Sequence, residues 1–283
     1  MPDEDQNFAH CEMLLREADR DRWLAGLFLP MPARSAVAAL YAFNVEVSRV
    51  RELVSQPLPG EVRLQWWRDL LEGEARGDAA SHPVAAALLA AVARYRLPRE
   101  ALTGIVDARV HDLYDDLFPG ATELEAYCGA TTSVLMRLAT LVLANGSEPR
   151  SADAAGHAGV AYGITTLLRA LPHHAARGRV DVPQDILERC GASAEDFLSA
   201  RWTPGVSAAL AEMRALARRH HERAVRLIGD VAPPVRGALL PLSLVPLYLG
   251  AMERKGFDPF LHPVELPQWR RQWAFWRASR QWR

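Results

Sequence analysis

The segment ITTLLRALPHHAARGRVDVP, at residues 164–183, carries the strongest structural signal in the chain. Its first residues continue a run of apolar side chains at helical spacing, which predicts a helix over 151–171. Proline, a histidine pair and glycine then predict a structured polar loop over 172–182. A short helix is expected over 183–189, because proline is favoured in the first helical turn.

Helical periodicity extends outward from this segment over nearly the whole chain, and no sustained period-two alternation calls for a sheet. The fold class is therefore predicted to be all-α, with a small-residue loop at 73–81. The chain of 283 residues is 49% apolar, which is enough for one large core, so a single domain over 1–283 is expected. The other predicted helices cover 32–53, 61–72, 83–95, 98–116, 122–144, 205–228 and 233–253.

Composition excludes several classes of protein. Acidic residues (34) nearly balance basic ones (33), which argues against a nucleic-acid-binding protein. Cys11, Cys128 and Cys190 lie far apart and predict neither a disulfide framework nor a zinc site. The N-terminus MPDED has no targeting pattern, and the longest apolar stretch, 237–252, falls short of the ~20 residues that span a bilayer. A cytoplasmic protein without membrane-spanning segments is predicted.

The segment 164–183 resembles, without a gap, the second signature of squalene and phytoene synthases, roughly L-T-N-I-L-R-D-V-x-E-D-A-x-x-G-R-x-Y-L-P. ALYAFNVEVSRVRE at 39–52 is similar to their first signature, roughly A-L-Y-A-F-C-R-x-x-D-D-I-V-D, and WLAGLFLP at 23–30 resembles their opening strip. The resemblance extends over about residues 12 to 260 and implies the isoprenoid-synthase fold, in which helices surround a central cavity. The second signature is matched at Arg169, Ala175, Gly178, Arg179 and Pro183.

The resemblance also implies a chemistry, since the family ionises two prenyl diphosphates with Mg²⁺ bridged between carboxylates on two facing helices. This chain departs from that pattern. Its formal charge at the six acidic positions is zero instead of minus six, because only Glu52 is an acid and Arg49 offsets it. We therefore expect no catalytic residue, no bound metal and no magnesium cofactor. The family's acidic positions fall here on Ser48, Arg49, Glu52, Ala170, His173 and His174.

Further departures affect the positions that handle diphosphate. The family's asparagine falls on Thr166, and its early serine and arginine fall on Asp21 and Leu27. The remaining arginines are either structural partners or anion binders, and both interpretations stay open. Direct binding of an anion without metal is the hypothesis for this set. The candidate ligand-binding residues are Tyr41, Arg49, Thr166, Arg169, Arg177 and Arg179.

A non-enzymatic branch of the same superfamily, which includes an assembly factor of respiratory complex I, shows a closer resemblance. Its members carry A-F-N-V-E in place of the aspartate-rich helix, as this chain does at 42–46, and 64–68 and 164–172 are also similar. The implied role is assembly or maturation of a respiratory membrane complex, with an isoprenoid or lipid ligand as a further expectation. An active head-to-head prenyl transferase with altered ligands and a lipid carrier remain alternatives.

Other residues that could support chemistry have simpler structural interpretations. Asp112, Asp115 and Asp116 predict a solvated helix end rather than a metal box, because Pro119-Gly120 ends the helix nearby. His173 and His174 are adjacent and point in different directions, so they do not predict a metal site. Trp66 is assigned to the core and Trp67 to the surface. His220 and His221 are assigned to a solvated helix face, and Thr131, Thr132 and Ser133 lack the acid and histidine of a nucleophilic triad.

The tail at 266–283 differs in composition from the rest, with four tryptophans, five arginines and no acid. Trp269, Trp273 and Trp276 follow i, i+4, i+7 spacing and form one stripe if the segment is helical. Such a stripe either docks on its own domain or lies at the periphery of an anionic membrane, and both readings stay open. In the membrane reading, deletion of the tail is expected to abolish binding without unfolding the rest.

Overall fold

A computed structural model describes residues 4–74 and 81–282. These residues form helices and turns without a β-strand, as the periodicity predicts. Most of the predicted small-residue loop at 73–81 lies outside the described residues. The helices are α1 Glu4–Ala18, α2 Arg20–Gly26, α3 Ala33–Ser48, α4 Pro57–Glu72, α5 Pro83–Tyr95, α6 Arg99–Arg109, α7 Ala121–Cys128, α8 Val134–Leu143, α9 Ala152–Ala175, α10 Gln184–Cys190, α11 Ala194–Leu198, α12 Pro204–Leu227, α13 Val245–Met252 and α14 Gln268–Gln281.

Three helix boundaries differ from their predicted positions. α4 begins at Pro57, because its two early prolines occupy a first turn whose N–H groups need no partner. α9 continues through Pro172 to Ala175, so the polar loop predicted over 172–182 starts later than expected. The helix predicted over 32–53 ends at Ser48 and continues as a separate 3₁₀ turn at Val50–Leu53.

Two large hydrophobic clusters form the core. The first joins α1, α3, α4, α5, α6 and α8, and the second joins α7, α9, α10, α12 and α13. A π-helical turn at Gly129–Ser133 packs against α9, where a Cβ atom added to Gly159 would lie 2.2 Å from the Cα of Ser133. Glycine at 159 therefore permits the close approach that brings α9 beside this turn.

The tryptophan pair on α4 reverses its predicted assignment. Trp67 is buried against Phe43, with ring centroids 5.1 Å apart, whereas Trp66 is only half-buried. The prediction that placed Trp66 in the core and Trp67 at the surface was wrong, because the face of α4 is set by its packing on α6.

Within residues 4–74 and 81–282, two helical stretches are long and apolar enough to cross a membrane by length and composition alone, Ala121–Leu143 and Pro233–Met252. The second is longer than the 237–252 stretch considered from sequence, because a 3₁₀ helix at Pro233–Leu244 precedes α13. In each stretch 61% of the apolar window is buried inside the fold. This degree of burial is typical of helices in the core of a fold.

The tail forms α14 and packs on the fold through one face. Phe275 and Ala278 are buried in a third cluster with residues of α2 and α13, whereas Trp269, Trp273 and Trp276 are exposed. The stripe itself is therefore not docked on the domain. Because its buried face belongs to a core cluster, deletion of the tail is now expected to destabilise the rest of the fold.

Candidate functional site

A cavity of about 510 Å³ lies where α2, α3, α7, α9 and α14 meet. Its wall is strongly charged, since twelve of its 26 lining residues are arginines or carboxylates. These charges divide into seven arginines and five acids, so the cavity carries its own counterions. The charged lining residues are Glu17, Asp19, Arg20, Asp21, Arg22, Arg49, Glu52, Arg109, Asp112, Arg169, Arg179 and Arg271.

The two helices that carry acids in the family pattern face each other across this cavity. Glu52, just beyond the end of α3, lies with its Oε1 atom 3.2 Å from Nε2 of His173 on α9. Arg49 approaches the other carboxylate oxygen of Glu52 at 3.6 Å, and Arg177 donates to the His173 ring from one turn further on. The chain therefore links these helices directly through its own side chains.

His174 points away from His173 and contacts the Asp181 carboxylate, with Nδ1 2.5 Å from Oδ2. The Nε atom of Arg179 donates to the other oxygen of Asp181 at 2.7 Å. Burial alone would raise the pKa of Asp181, but the His174 hydrogen bond and the Arg179 charge outweigh it, so this pKa is lowered. Asp181 therefore stays a carboxylate that neutralises cations from the second signature.

Asp112 forms the centre of a buried polar cluster with Arg109, Tyr127 and Arg179. Its Oδ1 atom accepts from Tyr127 Oη at 2.7 Å and lies 3.0 Å from Arg179 Nη1, and its Oδ2 atom accepts from Arg109 at 3.0 Å. The prediction of a solvated helix end was wrong for Asp112, which is buried because Arg179 reaches it from 67 residues away. Asp115 and Asp116 are exposed, as predicted.

Asp21 forms the centre of a second buried cluster in the cavity wall. Its Oδ2 atom accepts from Arg169 at 2.9 Å and from Tyr248 Oη at 2.6 Å, and its Oδ1 atom accepts from Arg271 at 2.9 Å. Burial raises the pKa of Tyr248, so its phenol remains a hydrogen-bond donor. This Asp21 cluster joins α2, α9, α13 and α14 through one carboxylate.

Tyr41 does not line the cavity but lies buried beneath it. The Arg22 guanidinium lies over its ring and over the ring of Tyr162, with both ring centroids 5.2 Å away. Burial raises the pKa of Tyr41 to about 12, although the Arg22 charge opposes the shift. Tyr41 is thus a packing partner of a buried cation and is not placed to contact a ligand directly.

The structure brings most of the candidate residues to one cavity and gives two of the arginines buried partners. Arg169 and Arg179 are held by buried carboxylates, which favours the structural interpretation over anion binding for both. His173 and Arg177 are exposed and do not line the cavity, although His173 contacts Glu52, which does. Eight candidate residues line the cavity itself, namely Ser48, Arg49, Glu52, Thr166, Arg169, Ala170, His174 and Arg179.

These residues do not fit a magnesium cluster. The hard cation needs several oxygen ligands from opposed helices, but Glu52 is the one carboxylate at the six positions and contacts His173 and Arg49 instead. Over the part of the chain that the structure describes, no group of three or more His, Cys, Asp or Glu side chains is arranged to hold a metal ion. No reaction step is assigned to a metal at this site.

Other polar residues behave partly as predicted. His220 is not solvated as expected, because its Nε2 atom lies 2.8 Å from Glu125 and its Nδ1 atom 2.9 Å from His157. His221 is also half-buried, and burial lowers its pKa. Cys128, which sequence reasoning did not assign to the cavity, lines it, and burial raises its pKa to about 12, so the thiol is a poor nucleophile.

Comparison with known proteins places this geometry in a family. A family model described as squalene/phytoene synthase matches residues 15–277. The chain belongs to the squalene/phytoene synthase family. Its relatives include the human NADH dehydrogenase (ubiquinone) complex I, assembly factor 6, which is 36% identical over 90% of this chain and 76% of its own length.

Named synthases also match this chain, at lower identity than the human assembly factor. The chloroplastic phytoene synthase 3 of Zea mays is 26% identical over 96% of this chain and 65% of its own length. A crystal structure of a dehydrosqualene synthase in complex with ligand superposes with a TM-score of 0.83 at 17% identity, covering 98% of this chain and 97% of that one. This similarity confirms the predicted isoprenoid-synthase fold.

Proposed function

We propose that this family member is a non-catalytic protein that helps assemble or mature a respiratory membrane complex of the complex I type. We place it in the cytoplasm, in contact with the inner membrane. Support comes from the relative named complex I assembly factor 6, and from the cavity, in which ten of the twelve charged lining residues pair with one another. The observation that carries the proposal is the direct contact between Glu52, which lines the cavity, and His173 on α9.

That contact replaces the arrangement on which the family's chemistry depends. A departing pyrophosphate needs concentrated positive charge held by carboxylates, as a metal cluster supplies. Here one carboxylate remains, and it contacts a histidine and an arginine of the same chain. The proposal accordingly excludes prenyl transfer and retains the fold as a scaffold for interaction with another protein.

Turnover is tested by incubation with farnesyl or geranylgeranyl diphosphate and Mg²⁺, followed by product extraction, with an active squalene synthase run in parallel. We expect no squalene, phytoene or cyclopropyl diphosphate intermediate. Formation of any of these at enzyme-like rates would establish the alternative, an active prenyl transferase with altered ligands.

The assembly role is tested in cells that lack the gene. We expect less assembled complex on native gels and lower membrane NADH:ubiquinone oxidoreductase activity, both restored by the wild-type chain. Cells with normal levels of the complex would contradict the proposal. If purified protein instead moved lipid between vesicles while complex levels stayed normal, the lipid-carrier alternative would hold.

An isoprenoid or lipid ligand remains a prediction, and the cavity wall restricts its chemistry. The twelve arginines and carboxylates among the cavity's 26 lining residues suit a polar or anionic head group better than a prenyl chain. Of the four candidate arginines, Arg49 and Arg177 keep exposed guanidinium groups. Calorimetry with inorganic pyrophosphate should show binding unchanged by EDTA and weakened in the Arg49→Gln, Arg177→Gln double variant. Strict metal dependence would contradict direct binding.

A further inference from the structure

The last helix has two opposite faces, of which the inner face is fixed on the fold. Phe275 is fully buried and Ala278 is 4% exposed, and both pack with residues of α2 and α13. Arg271 on the same face donates to the buried carboxylate of Asp21 at 2.9 Å. These contacts set the rotation of α14 about its axis and hold its outer face in one orientation.

The outer face presents three large aromatic side chains to solvent. Trp269, Trp273 and Trp276 are 64%, 59% and 45% exposed, and they lie about 130° or more around the helix from the centre of the inner face at 100° per residue. Trp273 and Trp276 stack with ring centroids 4.9 Å apart. Indole rings held together in water form a surface that a partner can bury.

Charge on this helix identifies the kind of partner. Arg270, Arg277 and Arg280 are exposed around the stripe, and residues 266–283 contain no acid. Arg270 lies over the ring of Trp269 and Arg280 over that of Trp276, with centroid distances of 5.5 and 5.6 Å. A second copy of this face would bring like charges together, whereas a surface rich in phosphate groups complements it.

We propose that the outer face of α14 docks at the headgroup level of an anionic phospholipid bilayer. Tryptophan suits this boundary because its ring is apolar and its N–H group can reach water or phosphate. Docking requires little ordering, since the fold already fixes the helix. The inference stands on this surface alone and supplies the membrane contact of the proposed function with named residues.

The test uses the full chain and sedimentation with vesicles of phosphatidylcholine, with and without phosphatidylglycerol. We expect binding to anionic vesicles that weakens as salt is raised. A variant with Arg270, Arg277 and Arg280 all changed to Gln should bind about 100-fold more weakly. Each arginine contributes about a fivefold gain in affinity, and the three contributions multiply. The variant with Trp269, Trp273 and Trp276 changed to Ser should lose more than about tenfold in affinity for the anionic vesicles.

Matched controls separate this face from general charge and hydrophobicity. Trp202→Ser removes a tryptophan that is 41% exposed elsewhere, and the triple change of Arg219, Arg223 and Arg226 to Gln removes three exposed charges from α12. Both controls should bind vesicles like the wild type. All variants should keep the wild-type melting temperature within a few degrees, which shows that the changed side chains are not part of the core.

Three outcomes would overturn the proposal. Equal loss of binding in the control variants would assign the effect to net charge or bulk hydrophobicity. If the wild-type protein did not bind anionic vesicles, the membrane would be excluded as the partner. If the wild type were a dimer that the tryptophan variant could not form, a second copy of the chain would be the occupant of this face. Vesicle binding and complex assembly are measured separately, so failure of one does not affect the other.

Discussion

Asp21→Asn is the substitution that most directly probes how the cavity wall is held together. The Asp21 carboxylate is 3% exposed and accepts hydrogen bonds from Arg169, Tyr248 and Arg271. Asparagine keeps the volume but removes the charge, and its NH₂ group points a donor at groups that are themselves donors. Two partly buried guanidinium groups then lose their counterion while they remain away from bulk water.

The expected cost is about 3 kcal/mol of the free energy of unfolding. Removing one partner of a buried ion pair costs about 3–5 kcal/mol, because the remaining charge is left uncompensated. The Arg169 side chain retains 28% exposure and the Arg271 side chain 14%, so water offsets part of the loss and favours the lower end. Against a typical total of about 5–15 kcal/mol, this is a large fraction.

Urea unfolding at neutral pH measures the change, with Asp115→Asn as control. Asp115 is 61% exposed and 3.5 Å from Arg51, and an exposed pair of this kind contributes about 0–1 kcal/mol. The Asp21→Asn, Arg271→Gln double variant should lose less free energy of unfolding than the two single variants lose in total, because both substitutions remove the same interaction. An Asp21→Asn variant within about 1 kcal/mol of wild type, or strict additivity, would refute the reasoning.

The remaining predictions concern packing and acid sensitivity. Gly159→Ala should cost about 3 kcal/mol because its Cβ would meet backbone atoms, whereas Gly156→Ala, with open space around the Cβ, should stabilise by about 0.5–1 kcal/mol; equal melting temperatures would contradict this. Trp67→Ala should cost about 3–5 kcal/mol in urea unfolding, and Trp66→Ala clearly less. The pKa of Asp181 is lowered in the folded protein, so the wild type should lose stability as pH falls below about 4. Asp181→Asn should lack this loss, and parallel stability curves of the two proteins against pH would contradict the assignment.

The amino-acid sequence was sufficient for the helices and the family. Apolar spacing along the chain predicted nine helices close to their observed positions. Residues three or four apart share one face of a helix, so the pattern can be recognised from neighbouring positions in the sequence. The two signatures predicted that the ends of α3 and α9 lie together, and they do, through Glu52 and His173. The loss of the family's acids was likewise visible without coordinates.

The tertiary structure decided which charges are buried and which surfaces remain free. From sequence, Asp112 resembled part of a solvated helix end, but in the structure it is paired with Arg179. Asp21 is the centre of a charge cluster only because Arg169 and Arg271, which lie 148 and 250 residues away along the chain, reach it. The inner and outer faces of α14 were equally open to interpretation from spacing. A periodic pattern defines a face, but only the long-range contacts that cover or pair its side chains determine whether that face belongs to the core, to a charge cluster or to a partner.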